Sequence, residues 1–249
     1  MPRRSVLSAS EKESLLAWPT DELERIRFYT LSSKDVAIVR ERRGEANRLG
    51  FAVQLCAMRY PGIVLGRERI PPPWLLERLA EQLNLSADWT EYLEHQYTRG
   101  QHVLALQSMY GFASFNRSYI RDAVETLAPT AFHTDKGIIV AQALVDYLRK
   151  QRILLPPLAV IERLSAQAIT QAERRIYALL CQSITPEQQQ KLEGFLSVIP
   201  ETKMTRLRWL CQPPKASNPK QILEHIDRLR VLSDLDLPNE IGYNIPLQR

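Results

Sequence analysis

Apolar positions along this chain recur at three- and four-residue intervals, and the strict alternation of a strand is nearly absent. The pattern predicts an all-α protein. Ser8 followed by Glu11 makes a capping-box pair ahead of Leu15 and Leu16. Ser32 with Asp35 opens a helix to about Arg43, where Gly44 breaks it, and the next helix runs from about Glu45 to Tyr60 before Pro61-Gly62. Leu49, Phe51, Ala52, Val53, Leu55, Cys56 and Met58 leave that second helix little wet surface, so it is expected to be central and buried.

Farther along, the run IPPPWLLERLAEQLNL places proline where a first helical turn tolerates it. Ser86 is expected to cap a short helix over Trp89 and Tyr92. Helices follow around 101–110, 117–127 and from Thr134-Asp135 through Leu148. The triplet Ile138-Ile139-Val140 is strand-like, but its surroundings favour helix. Leu155-Pro156-Pro157 marks a boundary, beyond which helices are expected near 157–165, 167–183, 186–197, 203–211 and 219–233. Gln212–Pro219 (QPPKASNP) has the composition of an extended linker.

These signals divide the chain at about 70, 153 and 213. Gly44 precedes Asn47-Arg48 as Gly111 precedes Asn116-Arg117, each time between two helices. Helix-turn-helix units place glycine in the turn and polar residues at the start of the helix that enters the major groove. The expected architecture is therefore two tandem helix-turn-helix-like modules, 1–70 and 71–153. A further helical module, 154–213, and a linker with a helix, 214–249, follow.

Composition changes this picture little. Hydrophobic residues make up 45% and charged ones 24%, and the net charge of +5 is mild. Its distribution says more. Residues 31–60 carry six bases (Lys34, Arg40, Arg42, Arg43, Arg48, Arg59) against three acids, and residues 203–230 carry seven against two. The intervening 61–150 hold nine bases and ten acids. Two basic zones flanking a neutral middle suit contacts at two places on a long polyanion. Cys56, Cys181 and Cys211 are odd in number and far apart, which fits buried thiols in a reducing cytosol better than disulfides. With no apolar leader and no membrane-length run, a cytoplasmic protein is expected.

Candidate chemistry centres on one turn. Arg40, Arg42, Arg43 and Arg48 crowd it together with Asn47, directly before the apolar helix. Guanidinium groups so anchored suit phosphate and guanine contacts, and an Asn amide can bond adenine bidentately. The alternative is a solvated helix end whose arginines pair with Glu41 and Glu45. The aromatic residues sit mostly at core positions. The four histidines lack ligand spacing, and no CxxC, HExxH, nucleophile elbow or phosphate-cradling glycine loop is present. No metal, nucleotide or other cofactor is implied, and no catalytic set is evident.

The stretch RRGEANRLGFAVQLCAMRYPG (Arg42–Gly62) resembles the N-terminal signature of the Tn-three family of replicative transposases. The segments SASEKESLLAWP, FYTLSSKDVAIV, YGFASF, VIERLSAQAITQAERRIY, TPEQQQKLEGFL, TRLRWLCQPPKASNP and EHIDRLRVL extend the resemblance over essentially the whole chain. It implies a sequence-specific binder of the double-stranded terminal inverted repeats of a transposon. In such proteins strand cleavage uses two metals and three carboxylates on a ribonuclease-H-like domain farther along. This sequence ends at NIPLQR, so the catalytic set cannot be carried over and the chain is not expected to be an enzyme by itself. The matched motif offers Arg42, Arg43, Asn47 and Arg48 as DNA contacts, with Asn116, Arg117 and Arg121 in the second module. Arg206 and Arg208 are offered for a third contact zone or for an interface with the remainder of the transposase. A second class of function stays open, a helical fragment that associates with full-length transposase and modulates transposition.

Overall fold

A computed structural model describes residues 5–182, 184–200, 203–213 and 218–237. Among them the chain is helical almost throughout, as the periodicity predicts. The helices are α1 (Ala9–Leu15), α2 (Glu22–Tyr29), α3 (Ser33–Arg40), α4 (Glu45–Arg59), α5 (Pro73–Leu83), α6 (Thr90–Glu94) and α7 (Gln96–Tyr110). After these come α8 (Ser118–His133), α9 (Gly137–Lys150), α10 (Leu158–Cys181), α11 (Pro186–Gly194), α12 (Arg206–Leu210) and α13 (Pro219–Ser233). Two very short strand pairs complete the inventory. β1 (Ala113–Ser114) runs parallel to β2 (Ile153–Leu154), and β3 (Val198–Ile199) pairs antiparallel with β4 (Met204–Thr205).

The helix starts follow local chemistry. Ser8, Ser32 and Thr185 each form a capping box, with Glu11, Asp35 and Gln188 respectively. Gly44 stands at the N-cap of α4 with φ +80°, a backbone state that costs a side chain-bearing residue energy. Ile138-Ile139-Val140 is helical, within α9.

Several expected boundaries move, each for a visible reason. Ser86 does not cap α6; Asp88 Oδ1 accepts the Thr90 amide at 2.8 Å instead. α7 begins at Gln96 rather than 101, and α8 continues through Pro129 to His133. The two helices expected over 157–183 are one, α10. Its polar interruption is absorbed because the buried Ser165 hydroxyl donates to Ile161 O one turn back, at 3.0 Å. Helix 186–197 stops at Gly194 and helix 203–211 shortens to Arg206–Leu210, because β3 and β4 take the residues between. Cys56 is buried as expected, but Cys181 and Cys211 are exposed: each lies at a helix end rather than within a packed face.

The chain divides into two compact units, one up to residue 170 and one from 171 onward. These differ from boundaries at 70, 153 and 213. The reason is α4, whose ten residues from Leu49 to Met58 are all buried. One core joins Leu49, Phe51, Leu55 and Met58 to Leu75, Leu79, Tyr92 and Leu106, which lie beyond residue 70. Fully burying a large apolar side chain stabilises by about 1.5–3 kcal/mol, so no autonomous surface separates the first two segments. Polar links reinforce the union. Leu155 N donates to Gly62 O at 2.8 Å, and Arg149 Nε donates to Pro61 O at 2.9 Å. The buried Gln54 amide closes both bonds of Leu65, donating to its oxygen at 2.8 Å and accepting its N–H at 3.0 Å. Residues 214–217 and 238–249 of the expected linker region lie outside the described residues.

Gly50 marks the closest packing around α4. A methyl group there would stand 2.3 Å from the Tyr92 ring. That ring is fully buried and its hydroxyl is bonded to His102 Nδ1 at 3.1 Å, so it has nowhere to swing. Gly50→Ala is therefore expected to lose about 1–3 kcal/mol of unfolding free energy by overpacking, against the usual helical advantage of alanine. Urea unfolding checks this; a gain in stability would show that Tyr92 relocates freely.

Candidate nucleic-acid interface

The arginine-rich turn is built on a buried carboxylate. Asp35, 2% exposed, caps α3 through the Ser32 amide and hydroxyl, both at 2.8 Å, and its other oxygen receives Arg59 Nη2 and Tyr110 OH, both at 2.7 Å. Burial pushes its pKa up, but the bonds from Arg59, Tyr110 and Ser32 outweigh that and hold it down at about 2. The same burial and the adjoining carboxylate push the Tyr110 phenol up. This one charged hub fixes α3 against α4 and α7, and α3 delivers Arg40 to the turn.

Within the turn the predicted residues separate into two groups. Arg42 is held over the Phe51 ring at 4.9 Å and bonds Glu41 Oε2 at 3.1 Å, the pairing that the solvated-helix-end alternative foresees. Arg48 Nε donates to Arg42 O at 2.9 Å, and Asn47 Nδ2 donates to Arg43 O at 2.9 Å. These three side chains brace their own backbone. Arg40 and Arg43, by contrast, are exposed and make no side-chain bond among the described residues. Phe51 meets His102 edge-on at 5.1 Å, and burial with the nearby Arg42 charge pushes the His102 pKa down to about 4.

The second predicted group is not brought to the first. Phe51 meets His102 near the middle of α4 and α7, and Arg59 stands 5.5 Å from the Tyr110 ring at their C-terminal ends, so the two helices run side by side in the same direction. Asn47 lies twelve residues before Arg59 on α4, or about 18 Å along the axis. Asn116, Arg117 and Arg121 follow the far end of α7. Asn116 Oδ1 accepts the Ser118 amide at 2.8 Å in the turn that leads into α8. Arg117 and Arg121 are exposed, and Arg121 lies 3.9 Å from both Asp122 and Glu125. Arg152, unremarked in the sequence, donates from Nη1 to Tyr110 O at 3.0 Å and adds an exposed cation at this end.

The third group belongs to the unit from 171 onward. Arg206 and Arg208 are exposed on α12, whose start Thr205 caps through the Arg208 amide at 3.2 Å. Arg206 also borders an apolar cavity of about 300 Å³ lined by Phe195, Ile199, Trp209, Leu210 and Val231. The basic zone here is weaker than its sequence suggests. Arg228 is 8% exposed, bonded to Gln212 O at 2.6 Å and set 5.1 Å from the Trp209 ring, while Lys215 lies outside the described residues.

Among the described residues no three His, Cys, Asp or Glu side chains gather as a metal set, and no helix is long and apolar enough to cross a membrane. The arrangement offers exposed guanidinium groups on a rigid base, which suits polyanion contact.

The family described as Domain of unknown function (DUF4158) matches residues 6–168. The chain is 49% identical to the transposase for transposon Tn3926 of Escherichia coli, over 100% of its own length and 25% of that protein. It is 46% identical to the transposase for transposon Tn21 of Escherichia coli (97% and 24%) and 40% identical to that for transposon Tn501 of Pseudomonas aeruginosa (100% and 25%). The chain thus spans about a quarter of the length of the curated relatives it matches. It belongs to the DUF4158 family and, with these relatives, to the Tn-three family of transposases.

Proposed function

We propose that this chain binds the terminal inverted repeats of a transposon and positions a catalytic region that lies elsewhere in the transposase. The carrying observation is the pair Arg40 and Arg43, exposed and without a side-chain bond among the described residues, at a turn that Asp35, Gly44, Asn47 and Arg48 brace. Free cations on a fixed base contact phosphates without an ordering penalty at the moment of binding. Arg117, Arg206 and Arg208 are proposed as further contacts. Arg42, Asn47 and Arg48 act chiefly by shaping the turn. A mobility shift with the terminal repeat of Tn3926 against a scrambled duplex tests the function; equal binding to both at about 150 mM salt would sink it.

The division of roles has its own expected outcome. Arg43→Ala weakens every duplex alike, lessens the salt dependence by about one ion, and leaves the unfolding midpoint unchanged. Arg48→Ala lowers the midpoint as well as the affinity, because it removes the bond to Arg42 O. Equal loss of stability in both variants would refute the assignment.

A second reading, association with full-length transposase, is favoured by α13. Ile222, Leu223, Ile226 and Leu229 stand 57%, 62%, 39% and 64% exposed on one side of it, while Arg228 faces inward. Size-exclusion chromatography of the chain with full-length transposase, without DNA, tests it; separate elution excludes it.

A further inference from the structure

Taking the chain to bind duplex DNA as proposed, we infer that the outward face of α7, centred on Gln101, Leu104 and Ser108, lies in the major groove and reads base edges. Residues 95–121 contain no Asp or Glu at all, although acids are frequent on either side. The exposed positions of α7 are Gln96, Tyr97, Gly100, Gln101, Leu104, Ser108 and Met109, most of them on one stripe of helical spacing without a charge. Surface helices ordinarily turn charged residues to water, so this stripe is unusual.

Its composition matches base edges. A glutamine amide bonds adenine N6 and N7 bidentately, serine serves any acceptor or donor, and the exposed Leu104 and Tyr97 fit against thymine methyls. Neither Gln101 nor Ser108 makes a side-chain bond among the described residues. Exposed cations lie on segments joined to α7: Arg40 and Arg43 on the turn that Arg42 and Phe51 connect to the buried His102, and Arg152, whose Nη1 donates to the oxygen of Tyr110, the last residue of the helix.

Gly100 supplies an independent indication. Glycine within a helix is unfavourable relative to alanine, so it persists where something needs the space. A methyl group at Gly100 would meet nothing within 4 Å among the described residues, so none of them requires glycine there. Close approach by an external partner does. A duplex suits that space better than a protein surface, because the stripe stands within an acid-free run of 27 residues, 95–121, which leaves nothing there to repel phosphates.

The test selects duplexes from a random-core library with the unaltered 249-residue chain, then measures variants on the enriched duplex and its scrambled form. Gly100→Ala is expected to raise the unfolding midpoint by a few degrees while weakening the enriched duplex tenfold or more. Gln101→Ala is expected to cut the preference for the enriched duplex about tenfold, with scrambled binding unchanged. If both variants bind both duplexes as the unaltered chain does, the assignment of α7 is overturned while DNA binding stands. If the unaltered chain enriches no sequence, the DNA reading fails, and the role of α7 with it.

Discussion

Asp35→Ala is expected to lower unfolding free energy by about 3–5 kcal/mol, measured by urea denaturation near neutral pH. Three elements converge on this carboxylate, and its removal leaves Arg59 and Tyr110 facing a space without an acceptor. The loss should depend on pH in a defined direction. The folded pKa near 2 lies below the unfolded value of about 3.9, so the carboxylate's contribution is complete above about pH 4 and disappears as pH falls through about 2. The variant should therefore show a flatter stability profile between about pH 4 and 2 than the unaltered chain. His102 acts in a neighbouring window. Its folded pKa of about 4 is also depressed, so stability declines as pH falls from about 6.5 to about 4 in both proteins. An Asp35→Ala protein with unchanged stability would mean that the hub contributes nothing beyond geometry.

Phe51→Ala is expected to cost about 3–5 kcal/mol, the usual range for emptying a fully buried aromatic site. The ring does more than fill volume. One side carries the Arg42 guanidinium and an edge meets His102, so its removal loosens the arginine turn from α7. Phe51→Leu should cost less, about 1.5 kcal/mol or under, because volume is nearly kept while the aromatic face is lost. Under conditions where both variants remain folded, binding to the Tn3926 repeat should fall in both. Affinity unchanged in Phe51→Leu would show that Arg42 needs no platform to shape the turn.

The sequence disclosed the helices well where its signals are local. Capping boxes at Ser8 and Ser32, and proline at the start of α5, are chemistry between residues a few positions apart. Burial of α4 was legible because an uninterrupted apolar stretch leaves no wet face. Division into units was not legible, since it depends on which distant helices share the α4 core. The continuous α10 was hidden because Ser165 reads as an interruption until its bond to Ile161 O is seen.

The candidate turn, whose role stays a proposal, was legible in outline only. Clustered arginines marked the turn, but whether each guanidinium is free or engaged depends on backbone oxygens that no residue pattern reveals. Thus Arg43 and Arg48 look alike in sequence and differ in the fold. Averaging charge over residues 61–150 concealed the acid-free run from 95 to 121, which a shorter window displays. Arg228 gave the opposite error: it counts as a surface cation by composition, yet Trp209 and Gln212 O enclose it.

The bonds from Leu155 to Gly62 and from Arg149 to Pro61 tie together segments about ninety positions apart. A protease nick in the chain near residues 66–70 would therefore leave two pieces still gripping each other, rather than two freely diffusing folds. By the same logic the first seventy residues are not a cassette that can be exchanged between transposases. A hybrid that keeps this packing must carry everything that touches α4, through residue 155 at the least.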